Sequence, residues 1–219
     1  MPVAYLTGVK EFWSMTFKVN AHALIPRPET ECLVEAVLER VPHGQTLRIA
    51  ELGTGCGAIA LALARERPAC DIVATDISRA ALAVARDNAR RQQLHQVKFV
   101  HSDWFSAFTG KFDLIVSNPP YVRDDDQLLH GSDLRHEPRL ALCGGTDGLD
   151  AMRRITRDAQ RYLVANGWLC LEHGSEQGAA VRALFMNHDY MNLATIRDHD
   201  GRERATCGRL AGTSGRRVP

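Results

Sequence analysis

Hydrophobic positions along this chain change period repeatedly, and each change marks an element. Residues 5–20 alternate aromatic and polar side chains around Gly8 and Ser14, which predicts a short hairpin. Pro26 and Pro28 keep 23–28 extended, because each fixes its own φ and biases the residue before it away from helix. Leu33, Val34, Val37 and Leu38 then recur at helical spacing, with Thr30 as the expected cap and Pro42-His43-Gly44 as the stop.

From Leu47 onward, short apolar runs alternate with longer amphipathic ones. Strands are predicted over 47–52, 72–75, 97–101, 114–117 and 168–172, and helices over 58–66, 79–92 (capped by Ser78), 151–164 and 177–187. Segments 192–197 and 204–210, joined at Asp200-Gly201, close the pattern as an antiparallel pair. Strand–helix alternation implies a doubly wound, mainly parallel α/β sheet. The irregular stretch 122–148 breaks the rhythm and has the length of a binding loop. The expected organisation is a hairpin and linker over 1–28, one α/β domain over 29–211 and a polar, disordered tail over 212–219.

Composition narrows the picture slightly. A net charge of +1 gives no overall field to attract nucleic acid or an anionic membrane. None of the six cysteines forms a CxxC pair, so no zinc site is expected and a reducing cytoplasm is inferred. Residues 1–20 contain no continuous apolar run, which excludes a signal peptide or a span there.

Two loops carry candidate chemistry. Glu51-Leu52-Gly53-Thr54-Gly55-Cys56-Gly57 lies between a strand and a helix, where glycines permit positive φ and close approach of a ligand. Its spacing is GxGxG rather than the dinucleotide GxGxxG, and no Lys-Ser/Thr follows as a phosphate loop requires. Asp76 ends the next strand, where a carboxylate accepts from ribose hydroxyls. Ser102-Asp103-Trp104 supplies a third wall, with Asp103 facing an exocyclic amine and Trp104 covering a base. The alternative is a ligand-free glycine turn flanked by turn residues.

The second loop, Asn118-Pro119-Pro120-Tyr121, follows the fourth strand. The prolines stiffen it and hold Asn118 extended. An amide or aniline-type NH2 is planar and weakly nucleophilic. The Asn118 side-chain oxygen and the Pro119 carbonyl can each accept one of its N–H groups, and Tyr121 offers it a flat face. Orientation towards a sulfonium methyl then matters more than a strong base. Alone, this loop does not distinguish a nucleobase from a glutamine.

Together with Tyr5-Leu6-Thr7-Gly8, Glu11-Phe12-Trp13, Ile25-Pro26-Arg27-Pro28-Glu29-Thr30-Glu31, Glu137-Pro138, Ala141-Leu142, Asp147-Gly148-Leu149, Glu172-His173-Gly174 and Gln177-Gly178, these loops resemble the protein-(glutamine-N5) methyltransferases of peptide chain release factors. The resemblance runs from Ala4 to Arg209. It implies a class I AdoMet-dependent methyltransferase fold, with a seven-stranded, mostly parallel sheet and an N-terminal hairpin. AdoMet is the implied methyl donor, and the implied substrate is the glutamine of the Gly-Gly-Gln motif of class 1 release factors. Carried over by motif, Gly53, Thr54, Gly55, Cys56, Gly57, Asp76, Trp104 and Asn118 contact AdoMet. Asn118, Pro119, Pro120 and Tyr121 hold the glutamine amide, with Asn118, Pro119 and Tyr121 as catalytic residues. Phe12 and Arg27 lie in motifs near the site. Family members carry a helical N-terminal docking domain, and this chain begins where its linker would end. Glu51 stands where Asp is common, and Ser175 where an aromatic is frequent.

A monomer without metal, direct nucleic-acid contact or membrane attachment is expected. The runner-up is a nucleic-acid amino-methyltransferase acting on adenine N6 or guanine N2, against which stand the charge and the lack of a target-recognition domain. A non-catalytic AdoMet-binding module is the third possibility. His173 is expected to be structural, Asp124-Asp125-Asp126 a solvated loop, and Arg153, Arg154, Arg157 and Arg161 a solvated helix face.

Overall fold

The computed structural model describes residues 1–127, 129 and 133–212. A helix, α1 (Val3–Thr7), leads into an antiparallel hairpin of β1 (Val9–Phe12) and β2 (Met15–Lys18). The expected hairpin is therefore shorter than 5–20. Pro2 and a left-handed Gly8 delimit one helical turn, a signal too brief for periodicity to reveal. After a 3-10 turn at Pro28–Thr30 come α2 (Glu31–Arg40), β3 (Arg48–Leu52), α3 (Ala58–Glu66), β4 (Asp71–Asp76), α4 (Arg79–Arg91), β5 (Lys98–His101) and β6 (Phe112–Ser117). A short α5 (Arg139–Leu142), α6 (Asp150–Ala159), β7 (Leu163–Glu172), α7 (Gly178–Met186), β8 (Tyr190–Arg197) and β9 (Glu203–Leu210) complete the described chain.

The main sheet has seven strands in the order β5-β4-β3-β6-β7-β9-β8, with β9 antiparallel to both its neighbours. Alternate residues along each strand face opposite sides. Ile49, Ile72, Leu114 and Cys170 meet α2, α3 and α4, whereas Ala50, Val73, Ile115 and Leu169 meet α6 and α7. Both faces are thus covered, as a largely parallel sheet requires. Phe12, Met15 and Phe17 of the hairpin share the first of these cores.

Two expected boundaries move. The helix expected over 151–164 ends at Ala159, and β7 begins at Leu163 rather than Trp168. The Phe112 N–H donates to the Tyr162 carbonyl at 2.7 Å, and Tyr162 stacks on Phe105 with centroids 5.0 Å apart. Sheet pairing and aromatic burial therefore take the segment that helical spacing alone would extend. Thr30 does not cap α2 through its side chain; its backbone is helical and closes the preceding 3-10 turn. Ser78 does cap α4, accepting from the Ala81 N–H at 3.1 Å. The tail call falls mostly on 213–219, outside the described residues.

Candidate active site

Sheet register brings the candidate loops together. Leu52 is paired with Thr75 on one side and Ser117 on the other, and Ser117 with Leu171. The next residues, Gly53, Asp76, Asn118 and Glu172, therefore emerge side by side at the carboxyl edge of the sheet. The Ser117 hydroxyl ties the centre by donating to the Leu52 carbonyl at 2.7 Å. The order reverses between β3 and β6, which is the switch point where open α/β sheets form their ligand crevice. A cavity of about 540 Å³ opens there.

The glycine loop is braced from beneath. Glu51 is buried and accepts from the Thr54 hydroxyl at 2.6 Å and from the Ala60 N–H at 3.0 Å. An internal carboxylate thus occupies the α3 N-terminus that a ligand anion could otherwise use. Burial raises the Glu51 carboxyl to about 7, against the pull of these two hydrogen bonds. Asp76 accepts from the Gly55 N–H at 2.9 Å and the Ser78 N–H at 2.8 Å, and burial raises its pKa. Gly53 and Gly55 both have positive φ and open space where a Cβ would point.

The acceptor loop is braced from further away. The Asn118 side-chain NH2 donates to the Thr30 hydroxyl oxygen at 3.2 Å. The Tyr121 hydroxyl donates to Glu172 Oε1 at 3.3 Å, and Gln177 Nε2 donates to the Tyr121 carbonyl at 3.1 Å. Val122 pairs with Cys143, which brings the 142–148 segment against the loop. A Cβ on Gly144 would stand 2.7 Å from the Pro120 carbonyl oxygen, so only glycine permits this approach. Glu137, almost fully buried, accepts from the Ile25 N–H at 3.0 Å and pairs with Arg27. This clasp unites the two most distinctive motifs of the sequence across 110 residues.

Of the expected site residues, Gly53, Gly55, Asp76, Trp104, Asn118 and Pro120 line the cavity. Thr54 and Cys56 turn inward and are buried, and Gly57 closes the loop at the start of α3 with a φ of 89°. Pro119 and Tyr121 are not among the lining residues, and Tyr121 packs on the second core. Phe12 is buried in the first core and does not line the cavity. Asp103 lines the cavity as well, and its half-exposed carboxylate is held by Arg154 at 2.9 and 3.0 Å.

His173 is buried between the Gly174 carbonyl and the Thr206 hydroxyl, 2.9 and 3.0 Å away, a structural placement. Arg153, Arg154 and Arg157 pair with neighbouring aspartates, and Asp125 pairs with Arg123. Among the described residues no His/Cys/Asp/Glu group is arranged to hold a metal, and no helix is long and apolar enough to cross a membrane. Sequence reasoning missed Thr30, Glu172 and Arg154 as parts of the site. The first two stood inside quoted motifs, but nothing in their spacing announced that they meet.

A seven-stranded sheet of this order, with its cleft at the carboxyl edge of the central strands, is the class I methyltransferase fold. Residues 28–132 match the Methyltransferase small domain family. The chain is 50% identical over 97% of its length to the release factor glutamine methyltransferase of Xylella fastidiosa (strain 9a5c), covering 78% of that protein. It belongs to the release factor glutamine methyltransferase family. Among solved structures it is similar to the protein-(glutamine-N5) methyltransferase (release factor-specific) of Alicyclobacillus acidocaldarius, with 26% identity, TM-score 0.52 and coverage of 89% of this chain and 99% of that one. The Thermus thermophilus 16S rRNA N2 G1207 methyltransferase, solved with AdoMet and guanosine, is 19% identical at TM-score 0.65, covers 92% of this chain and 49% of its own, and shares the fold.

Proposed function

We propose that this chain methylates the side-chain amide nitrogen (N5) of the glutamine in the Gly-Gly-Gln motif of class 1 peptide chain release factors, with AdoMet as methyl donor. What supports a glutamine over a nucleobase acceptor is membership of the release factor glutamine methyltransferase family, and Asn118 suits that reading. The Asn118 NH2 is engaged with Thr30 on the protein side, which leaves Oδ1 as an acceptor at the cavity. A primary amide presents N–H donors to such a group.

The cleft suits AdoMet. Asp76 lines it with a carboxylate, the open glycine loop allows backbone approach, and Trp104 and Ile77 supply apolar walls. When bound, AdoMet supplies a sulfonium methyl. The chain's own part is to orient the acceptor. Asn118 Oδ1 accepts one amide N–H and the Pro119 carbonyl the other, which draws electron density toward the nitrogen and fixes its direction. No basic side chain is needed during attack, and the surplus proton leaves to solvent afterwards. Tyr121 stiffens the loop from behind through Glu172.

The test incubates the chain with labelled AdoMet and a class 1 release factor. Label should enter the factor and disappear when the Gly-Gly-Gln glutamine is replaced by alanine. Equal labelling of that variant, or label in RNA instead, overturns the proposal.

A further inference from the structure

Its prolines leave the acceptor loop unable to hold itself. Pro119 and Pro120 have no N–H, so along Asn118–Tyr121 the carbonyls outnumber the backbone donors. Each proline ring fixes its own φ but not the direction of its carbonyl. The start of the loop is tied through Ser117, whose hydroxyl donates to the Leu52 carbonyl at 2.7 Å. The far end needs a donor from elsewhere. Among the described residues, one side chain donates to a backbone carbonyl of this loop: Gln177, at the start of α7 and 56 residues away.

The polarity of Gln177 is set by main-chain groups, whose roles as donor or acceptor do not change. Its Oε1 accepts from the Gly174 N–H at 2.8 Å, so its NH2 faces the other way. There Nε2 meets three carbonyls, of Tyr121 at 3.1 Å, Gly148 at 3.3 Å and Asp147 at 3.4 Å. The arrangement depends on glycine. Gly148 has a φ of 76°, and a Cβ there would collide with both the Tyr121 carbonyl oxygen and Gln177 Nε2. Gly144 stands in the same way against the Pro120 carbonyl. Two successive carbonyls of the loop thus press on a wall without side chains, and the Gln177 amide ties the second of them to it.

We infer that Gln177 is a positioning residue for methyl transfer. By joining the Tyr121 carbonyl to the 147–148 segment and to Gly174, it fixes the far end of the loop that carries Asn118 and the Pro119 carbonyl. The inference rests on the glutamine-methyltransferase reading of the site. Gln177 is not among the residues that line the cavity, so its influence on the acceptor passes through the loop. A side chain that merely fills the space cannot replace it, and an oxygen in the place of Nε2 would oppose three carbonyl oxygens.

The experiment compares two variants in the full chain, each checked for folding by circular dichroism. Gln177→Glu keeps the shape and puts an oxygen in the place of Nε2. Gln177→Met keeps the bulk and loses the hydrogen bonds. Glu176→Gln, at the exposed neighbouring position, is the control and should keep the unaltered rate. At about pH 8, where a carboxyl is ionised, Gln177→Glu should lower kcat about 10- to 100-fold, since a displacement of about 1 Å at the reacting atoms costs that much. Gln177→Met should lower it about 3- to 10-fold, the cost of an unmade hydrogen bond. AdoMet affinity, read by calorimetry, should stay within about threefold in both. A readout independent of turnover is a crystal structure of Gln177→Glu, in which the Tyr121 carbonyl should have moved away from the 147–148 segment. A Gln177→Glu rate within about twofold of the unaltered chain overturns the inference. So does a fall in AdoMet affinity that parallels the fall in kcat, or a Tyr121 carbonyl that has not moved. If Gln177→Glu does not fold, an unaltered rate in Gln177→Met overturns it. If the unaltered chain fails to label release factor, the glutamine reading fails, while the position of the Tyr121 carbonyl still decides whether Gln177 holds the loop.

Discussion

The two halves of the cleft are assembled over very different distances along the chain. On the glycine-loop side, Glu51, Thr54, Gly55, Ala60 and Asp76 brace one another within a single strand–helix–strand unit. On the acceptor side, Asn118 leans on Thr30 from 88 residues away, Tyr121 on Glu172 from 51, and the Ile25 segment on Glu137 from 112. The first half forms when one local unit forms. The second exists only once the N-terminal segment, the 137–148 segment and β7 have all docked. Donor binding and acceptor orientation should therefore be separable by mutation.

The largest expected effect sharpens that separation. Asn118→Ala should cut turnover about 100-fold or more, because a misplaced acceptor alone costs that much, while calorimetry shows AdoMet affinity nearly unchanged. Parallel losses would merge the two halves into one. Next, Glu137→Ala removes a buried carboxylate and strands the Ile25 N–H and Arg27, at a cost of about 2–4 kcal/mol in urea unfolding. Gly144→Ala places a methyl against the Pro120 carbonyl. It should cost about 1–3 kcal/mol and raise KM for the release factor more than for AdoMet. A rise confined to AdoMet would contradict the assignment of this wall.

A subtler effect comes from pH. Glu51 and Glu172 both rise from an ordinary 4.5 to about 7 on folding. Between those values the folded chain holds protons that the unfolded chain releases, so their contribution to stability falls as pH rises. His173, lowered by burial, works the other way, losing stability as pH falls below its ordinary 6.5. Glu172→Gln should flatten the fall in Tm across the window from 4.5 to 7. The smallest effect is expected from Arg157→Ala, which should leave the midpoint of urea unfolding unchanged, because its exposed pairing with Asp158 is screened by solvent.

These differences track what the sequence exposes. The strand–helix rhythm, the glycine loop, Asp76 and the Asn118–Tyr121 turn were legible because period and turn chemistry are local properties. The helix expected to reach Val164 went astray where the pairing of Tyr162 with Phe112 overrode helical spacing. The pairing of Asp103 with Arg154 was not legible, because Arg154 lies 51 residues further on.

By itself, then, the sequence determined the class of sheet, its two chemical loops and the stiffness of the turn that carries Asn118. Those follow from dihedral limits and side-chain period, which each short segment enforces on its own. Only the tertiary structure decided that Thr54, Cys56 and Gly57 sit behind the cavity wall, and that Glu137 clasps the Ile25–Arg27 segment. It also decided that Asn118 turns its NH2 to Thr30, beside a buried Glu172. The physical reason is that burial and hydrogen-bond polarity are set by whichever groups arrive from elsewhere in the chain.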